Sequence, residues 1–598
     1  MNRAIVFLLL GFQVFASTGW ALPKRLVIAI DGISYRDLKA LQEGIPQTNL
    51  IGNVSYLRAF TSDEGYFPVS RMVSTFPSTS DVAWTDIFGN RPLAGYQRTY
   101  FSHAANSEIF INGLTSSVEH ERQMDWQAQN NFVRSMGYLS SVRAYEYELR
   151  ALSKEFFNKD DTNETYYIYI RSSDDAQHME RNILSMLSML DQTLQDMRVR
   201  YKAAEGDDLQ ILIMSDHGHN HAGRGERVLV RSYLESAGYR ITESLQNSND
   251  VVLPTAGIED WIEIHNGPEQ TEKLAELLTH LQGADVVTAR LPEPTNYFLV
   301  LNTKGERAVI QWNPTKNTYK YSAEKGDPLG YLPAVGELSK KNLLDEDGFA
   351  AADDWMNATM TNHYPVALQR IVRGHTAVTL NPATILVSLD NRYVHAGWLV
   401  NEGSKLVECG STHGALDDVN SLGIILSNFK PTHDAPTYHV TDQFDGFPGL
   451  RKYRSVENGA EWVFRNEQSK VRIARDSLDW NYKSLPDDGV FLRIWSPQLE
   501  DLSKEVSLEA TIGKVTVDDP QNGNMQPRIA HEQRVTFGRP ISFPIPSSYE
   551  RVYACPTNLN LKPYSVYQVS GWMHDGSKNV SLFEFNFNTD DSGQPVPY

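Results

Sequence analysis

The stretch Ile211-Leu212-Ile213-Met214-Ser215-Asp216-His217-Gly218-His219 decides how this chain is read. Four consecutive apolar residues stop abruptly at an acid and a histidine. A run so short, and apolar without alternation, reads as a strand buried on both faces, the kind found in parallel sheets covered by helices. The form recurs upstream, where Leu26 to Ile30 ends at Asp31 and Tyr166 to Ile170 leads to Asp174. Between the last two strands, Met179 to Met197 places Ile183, Met186, Leu187, Leu190 and Leu194 at helical spacing. Strands alternating with helices predict an α/β fold with a mostly parallel central sheet. Ligands of such sheets bind beyond the carboxyl ends of the strands, where these acids and histidines fall. Thr384 to Leu389 and Ser421 to Leu426 are candidates for further strands.

Working outward, 598 residues exceed one ordinary core and predict more than one domain. Met1-Asn2-Arg3, the apolar run Ala4 to Leu10 and the small-residue stretch ending Gly19-Trp20-Ala21 have the parts of a secretory signal. The apolar run is shorter than the ~20 residues that span a bilayer. The expectation is a signal peptide over 1–21, cleaved near Ala21, with no transmembrane anchor left and a periplasmic or secreted product. A catalytic domain is expected over 22–440. Within it, about 230–375 lacks the strand-then-acid form and reads as an inserted cap, with a helix at Gln270 to Leu281 and hairpins around Tyr297 to Tyr321. Short runs at Gly489 to Ile494, Val506 to Val515 and Tyr564 to Trp572 predict a β-rich C-terminal domain over 441–598.

The formal net charge is −19, and loss of Arg3 with the signal would make it −20. So acidic a surface argues against duplex nucleic acid or an anionic membrane as the bulk partner. Cys409 and Cys555 are the two cysteines, and an oxidising compartment leaves open either one bridge or two buried thiols.

Five pieces of sequence carry the chemistry. Asp31 follows its strand directly. Asp174-Asp175-Ala176-Gln177-His178 offers a carboxylate and an imidazole to one ion, and zinc accepts both. Asp216 and His217 end the strand quoted first, with His219 and His221 read as outer contacts, substrate contacts or, more commonly, solvated side chains. His413 lies between small residues in Ser411-Thr412-His413-Gly414. Hydroxyls stand in Pro77-Ser78-Thr79-Ser80-Asp81-Val82-Ala83-Trp84, at the start of an amphipathic stretch ending at Gly89. The positive end of a helix there suits an anionic substrate or an ionised alkoxide. Taken singly, each piece also reads as an ordinary capping residue or surface histidine.

As a set, the order Asp, hydroxyl, Asp-x-x-x-His, Asp-His, His resembles the alkaline phosphatase superfamily, and especially its type I phosphodiesterase/nucleotide pyrophosphatase branch, over roughly Lys24 to Ser427. The resemblance implies an alkaline-phosphatase-like sheet and two Zn²⁺ ions. Asp174, His178 and His413 would hold one ion; Asp31, Asp216, His217 and the Ser80 oxygen would hold the other. Ser80 is implied as nucleophile because the family's nucleophile stands three positions after a proline such as Pro77, with Thr79 the alternative. That branch usually carries threonine there. Near its phosphoryl-binding asparagine this chain has Thr99 and Arg98, with Asn106 further on. Val228 through Asp250-Val251-Val252-Leu253-Pro254 to Gly326-Asp327-Pro328-Leu329 resembles the cap of bacterial members.

The resemblance therefore implies hydrolysis of a small phosphate ester, diester or monoester, through a covalent phosphoseryl intermediate. Two other functions compete. Sulfatase-like chemistry needs a Cys/Ser-x-Pro-x-Arg context, which Ser80-Asp81-Val82-Ala83-Trp84 lacks. A non-catalytic binding protein on the same fold would bind no metal.

Overall fold

The computed structural model of the protein describes residues 22–431, apart from 49–53, 89–91, 98, 104, 111–119, 121–123, 128–140, 159–163, 180–182, 222–224, 256 and 397–410; beyond 431 it describes chiefly the β-strands. The signal-like segment 1–21, Arg98, Cys409 and Cys555 lie outside the described residues.

The central sheet has six strands in the order Thr437–His439, Ser70–Val73, Leu422–Ser427, Gln210–Met214, Arg25–Ile30 and Thr165–Ile170. Arg25–Ile30 runs parallel to both its neighbours, with Ile28 opposite Ile168 on one side and Ile213 on the other. Leu422–Ser427 is antiparallel to the strands on either side of it, so the sheet is mixed but mostly parallel. Alternation along Arg25–Ile30 divides the core. Leu26, Ile28 and Ile30 join the apolar faces of the helices Tyr35–Glu43, Ser141–Asn158 and Ile183–Glu205. Val27 and Ala29 point the other way, towards Trp84, Ile87 and Phe88. Both faces are covered, which is why the runs Leu26 to Ile30, Tyr166 to Ile170 and Ile211 to Met214 are apolar or aromatic throughout.

Thr384 to Leu389 does not extend this sheet. Ile385–Leu389 sits in a second, nine-stranded and largely antiparallel sheet, between Trp261–Asn266 and Ala284–Arg290. A strand buried on both faces has the same apolar sequence in either sheet, so composition could not assign it. The hairpin region is the strands Tyr297–Asn302, Arg307–Asn313 and Thr318–Lys325 of that second sheet. The helix placed at Gln270 to Leu281 is Thr271–Leu278, led by a short 3₁₀ turn. The region beyond 440 is β-rich, with Gly489–Trp495, Leu508–Val517 and Val566–Asp575 close to the expected runs. Among the described residues no helix is long and apolar enough to cross a membrane.

Buried polar contacts join the helix Ala367–Gly374 to the loops beside the central sheet. Arg370, on the helix Ala367–Gly374, is completely buried and has no carboxylate partner among the described residues. Its guanidinium donates instead to the carbonyls of Ser74, Thr75, Pro365 and Leu416 at 2.8–3.3 Å. Two of those carbonyls lead towards Ser80 and one follows His413. Arg373 on the same helix grips both carboxylate oxygens of Asp86. Replacing Arg370 with Met would leave several buried carbonyls without donors. At ~1–3 kcal/mol per stranded group, the variant should lose roughly 3 kcal/mol or more. Urea unfolding followed by tryptophan fluorescence measures this, and an unchanged midpoint would contradict it.

Candidate metal centre

Each functional side chain is delivered by the end of a core element. Asp31 follows Arg25–Ile30, and Asp216 and His217 follow Gln210–Met214. Asp174 and His178 are four apart on the helix Ser172–Met179, so they share one helix face. His413 comes from the loop before Leu422–Ser427. Ser80 opens the helix Ser80–Ile87, whose N-cap is Thr79 in extended conformation.

These residues converge into two groups. Donor atoms of Asp31, Asp216 and His217 lie within 4.8 Å of one another, as do those of Asp174, His178, His219 and His413. The groups share a wall, because the His217 and His413 rings stack with centroids 3.9 Å apart. Ser80 Oγ lies 3.1 Å from His217 Nε2. Thr79 Oγ1 is buried without a hydrogen-bond partner.

The donors fit metal ions in spacing, orientation and chemistry. His217 Nε2 is 3.3 Å from Asp216 Oδ2 and 3.6 Å from Asp31 Oδ1. His178 Nε2 is 3.4 Å from Asp174 Oδ2, and His413 Nε2 is 3.6 Å from Asp174 Oδ1. Ligands at zinc's usual bond lengths around a tetrahedron stand about 3.3 Å apart. Asp31 Oδ1 and Asp216 Oδ2 are buried and have no hydrogen-bond partner, which is costly unless a cation faces them. The three histidines are oriented alike. Nδ1 donates to a backbone carbonyl: His178 to Ser411 at 2.8 Å, His413 to Ser78 at 3.0 Å and His217 to Gly218 at 3.0 Å. Each Nε2 lone pair is thereby turned into the site, the usual outer support of a metal-bound imidazole.

Electrostatics point the same way. Burial, reinforced by the charge of Asp174, pushes Asp31 up to about 7, and burial beside Asp31 holds Asp216 well above the carboxylate range. Asp174 would also rise on burial, but His178 and His413 outweigh that and hold it low. Burial pushes His217 down to about 3 and His413 well below its ordinary value, so both rings are neutral and ready to ligate. Three buried carboxylates among neutral imidazoles make a centre that demands cations.

Tyr169 escaped the sequence reading, while His219 takes the outer-contact place that was one of its readings. Tyr169 donates its hydroxyl to Asp31 Oδ2 at 2.5 Å, leaving Oδ1 free to face the site. Nothing in the strand Thr165–Ile170 distinguished this tyrosine from a core residue. His219 is fully buried rather than solvated. Its Nε2 lies 2.6 Å from Asp174 Oδ1 and its Nδ1 2.5 Å from Ser411 Oγ. A 2.6 Å separation is the length of a charge-assisted hydrogen bond and is short for two ligands of one ion. With both ring nitrogens engaged, His219 holds Asp174 in place. Only a glycine fits beside this pair: Gly32 has φ +71°, and a Cβ there would stand 2.8 Å from His219 Nε2 and 2.9 Å from Asp174 Oδ1. His221 pairs with Asp37 at 2.8 Å. Thr99 is buried in the strand Thr99–Ser102, and Asn106 hydrogen-bonds to Leu245.

Residues 65–298 match the family described as type I phosphodiesterase/nucleotide pyrophosphatase. No curated protein matches the chain in sequence. Among solved structures, human ectonucleotide pyrophosphatase/phosphodiesterase 5 is similar at a TM-score of 0.36 and 12% identity, covering 71% of this chain and 93% of its own. Murine ectonucleotide pyrophosphatase/phosphodiesterase 5 is similar at 0.35 and 12%, with the same coverage. The matched stretch, residues 65–298, contains Ser80, Asp174, His178, Asp216 and His217, and over that stretch the chain is similar to the type I phosphodiesterase/nucleotide pyrophosphatase family.

Proposed function

We propose that the chain is an exported, two-zinc hydrolase of phosphate esters with Ser80 as its nucleophile. The observation that carries this is the position of Ser80 Oγ, 3.1 Å from His217 Nε2, at the meeting of two Asp/His groups whose rings stack. Asp174, His178 and His413 would hold one ion, and Asp31, Asp216 and His217 with Ser80 Oγ the other. Bound there, the ions would supply Lewis-acid charge that lowers the pKa of the serine hydroxyl and of water. A donor set rich in imidazole favours zinc over magnesium or calcium.

The chain's own residues do the rest. Ser80 sits in the first turn of its helix, where unpaired backbone N–H groups and the dipole favour the anionic phosphoryl group and the serine alkoxide. Attack by Ser80 Oγ forms a phosphoserine and breaks the bond to the leaving oxygen, which departs with the substrate's alcohol. Water then cleaves the Oγ–phosphorus bond, returning the serine and releasing phosphate or a monoester. Tyr169 and His219 keep one oxygen each of Asp31 and Asp174 occupied, which fixes where their remaining oxygens point. The matching substrate is a small phosphate ester.

The Ser80→Ala variant should lose turnover of bis-p-nitrophenyl phosphate by at least ~10³-fold while retaining about two zinc ions per chain by elemental analysis. Thr79→Ala serves as the parallel control. Full activity in the serine variant, with loss in the threonine variant, would move the nucleophile to Thr79.

Gly32→Ala places a methyl group against His219 and Asp174 in a left-handed conformation that alanine resists. Its zinc affinity, read by competition with a chelating dye, should fall roughly 10- to 100-fold, the usual penalty for disturbing outer support. Wild-type affinity would show that His219 does not position Asp174.

A further inference from the structure

Asp260 stands at the start of the inserted strand Trp261–Asn266 and is completely buried, yet it reaches both loops that bring histidines to the metal centre. Its Oδ1 accepts the backbone N–H of Ala415 at 2.6 Å, two residues beyond His413. Its Oδ2 accepts from Asn220 Nδ2 at 3.3 Å, one residue beyond His219. The Asp260 backbone N–H also faces the His413 carbonyl at 3.4 Å. Asn220 closes the circuit: its N–H donates to Thr412 O at 3.1 Å, and its Oδ1 accepts from Thr412 N at 3.3 Å. The two ligand loops are therefore joined to each other and to one carboxylate from a different sheet.

Packing makes the join rigid. Gly414 has φ +123°, and a Cβ there would lie 2.2 Å from Trp261 Cδ1 and 3.1 Å from Asp260 Oδ1. Trp261 is itself wedged edge-on against Tyr96, with ring centroids 5.5 Å apart. On its far side the Asp260 carbonyl accepts from Leu389 N at 2.8 Å, which ties the residue to the middle of the nine-stranded sheet. The loop carrying His413 has little room to shift while these contacts stand.

We propose that Asp260 is a positioning residue of the metal centre, and that the inserted sheet is part of the scaffold that sets His413 against Asp174 and His178. Asp260 touches neither ion nor substrate; it acts through the 411–416 and 216–221 loops. The inference rests on the two-ion reading above. It adds that the insertion sets metal affinity, a role that a cap serving only to cover substrate would not have.

The test is Co²⁺ titration of the full chain, followed by visible absorption, with bis-p-nitrophenyl phosphate kinetics in parallel. His413→Ala identifies the absorption that belongs to the Asp174, His178 and His413 group. In Asp260→Ala that component should bind cobalt ~10- to 100-fold more weakly. The component from the other group should change much less, and kcat should fall with KM nearly constant. Asp260→Asn keeps one acceptor and should recover part of the affinity. If Asp260→Ala does not fold, Asn220→Ala, which removes the side-chain bonds to Asp260, Thr412 and Asn391, takes its place with the same expectation. Cobalt affinity equal to wild type, or equal weakening of both components, would overturn the inference. A wild-type chain that binds no ions would overturn the functional reading and this inference with it, whereas two ions in the wild type with an indifferent Asp260→Ala would overturn this inference alone.

Discussion

The arrangement turns on the burial of Asp31, Asp174 and Asp216 in one place at the carboxyl edge of a parallel sheet. Burying several carboxylates together is strongly unfavourable unless positive charge compensates them. Among the described residues no lysine or arginine pairs with the inward oxygens of Asp31 and Asp216, which instead face His217. The fold tolerates this because the surrounding sheet is over-determined: apolar strands covered on both faces, with Tyr169, His219 and backbone groups fixing each ligand's orientation. Divalent cations are the natural resolution of the imbalance.

That constraint explains why the second sheet belongs to the site. The candidate ligands come from four chain segments, and the His413 loop is held by contacts from other elements. Arg370 binds the carbonyl of Leu416 and those of Ser74 and Thr75, coupling the His413 loop to the approach to Ser80. Asp260 performs the corresponding task on the histidine side. Both residues join the loops of the candidate centre to the region that holds the nine-stranded sheet.

Much of the central sheet was legible in the sequence because a strand buried on both faces has a distinct form, and because an acid at its end breaks that form sharply. Asp31, Asp174 and Asp216 stood out for this reason, and the i,i+4 spacing of Asp174 and His178 suited one helix face. Sheet membership was not legible for Ile385–Leu389, since an apolar run is the same in either sheet. Supporting residues were hidden for a related reason. Tyr169 looks like core until its hydroxyl is seen against Asp31, and His219 looks like a surface histidine until the backbone turns it inward. Asp260 is separated from both loops it joins in the chain, so its role arises only from tertiary structure.

The most direct measurement is X-ray anomalous scattering from crystals of the zinc-loaded protein, with data collected on both sides of the zinc absorption edge. The account predicts two neighbouring anomalous peaks, one bounded by Asp174, His178 and His413 and the other by Asp31, Asp216, His217 and Ser80. A single peak, or none at saturating zinc, would contradict it.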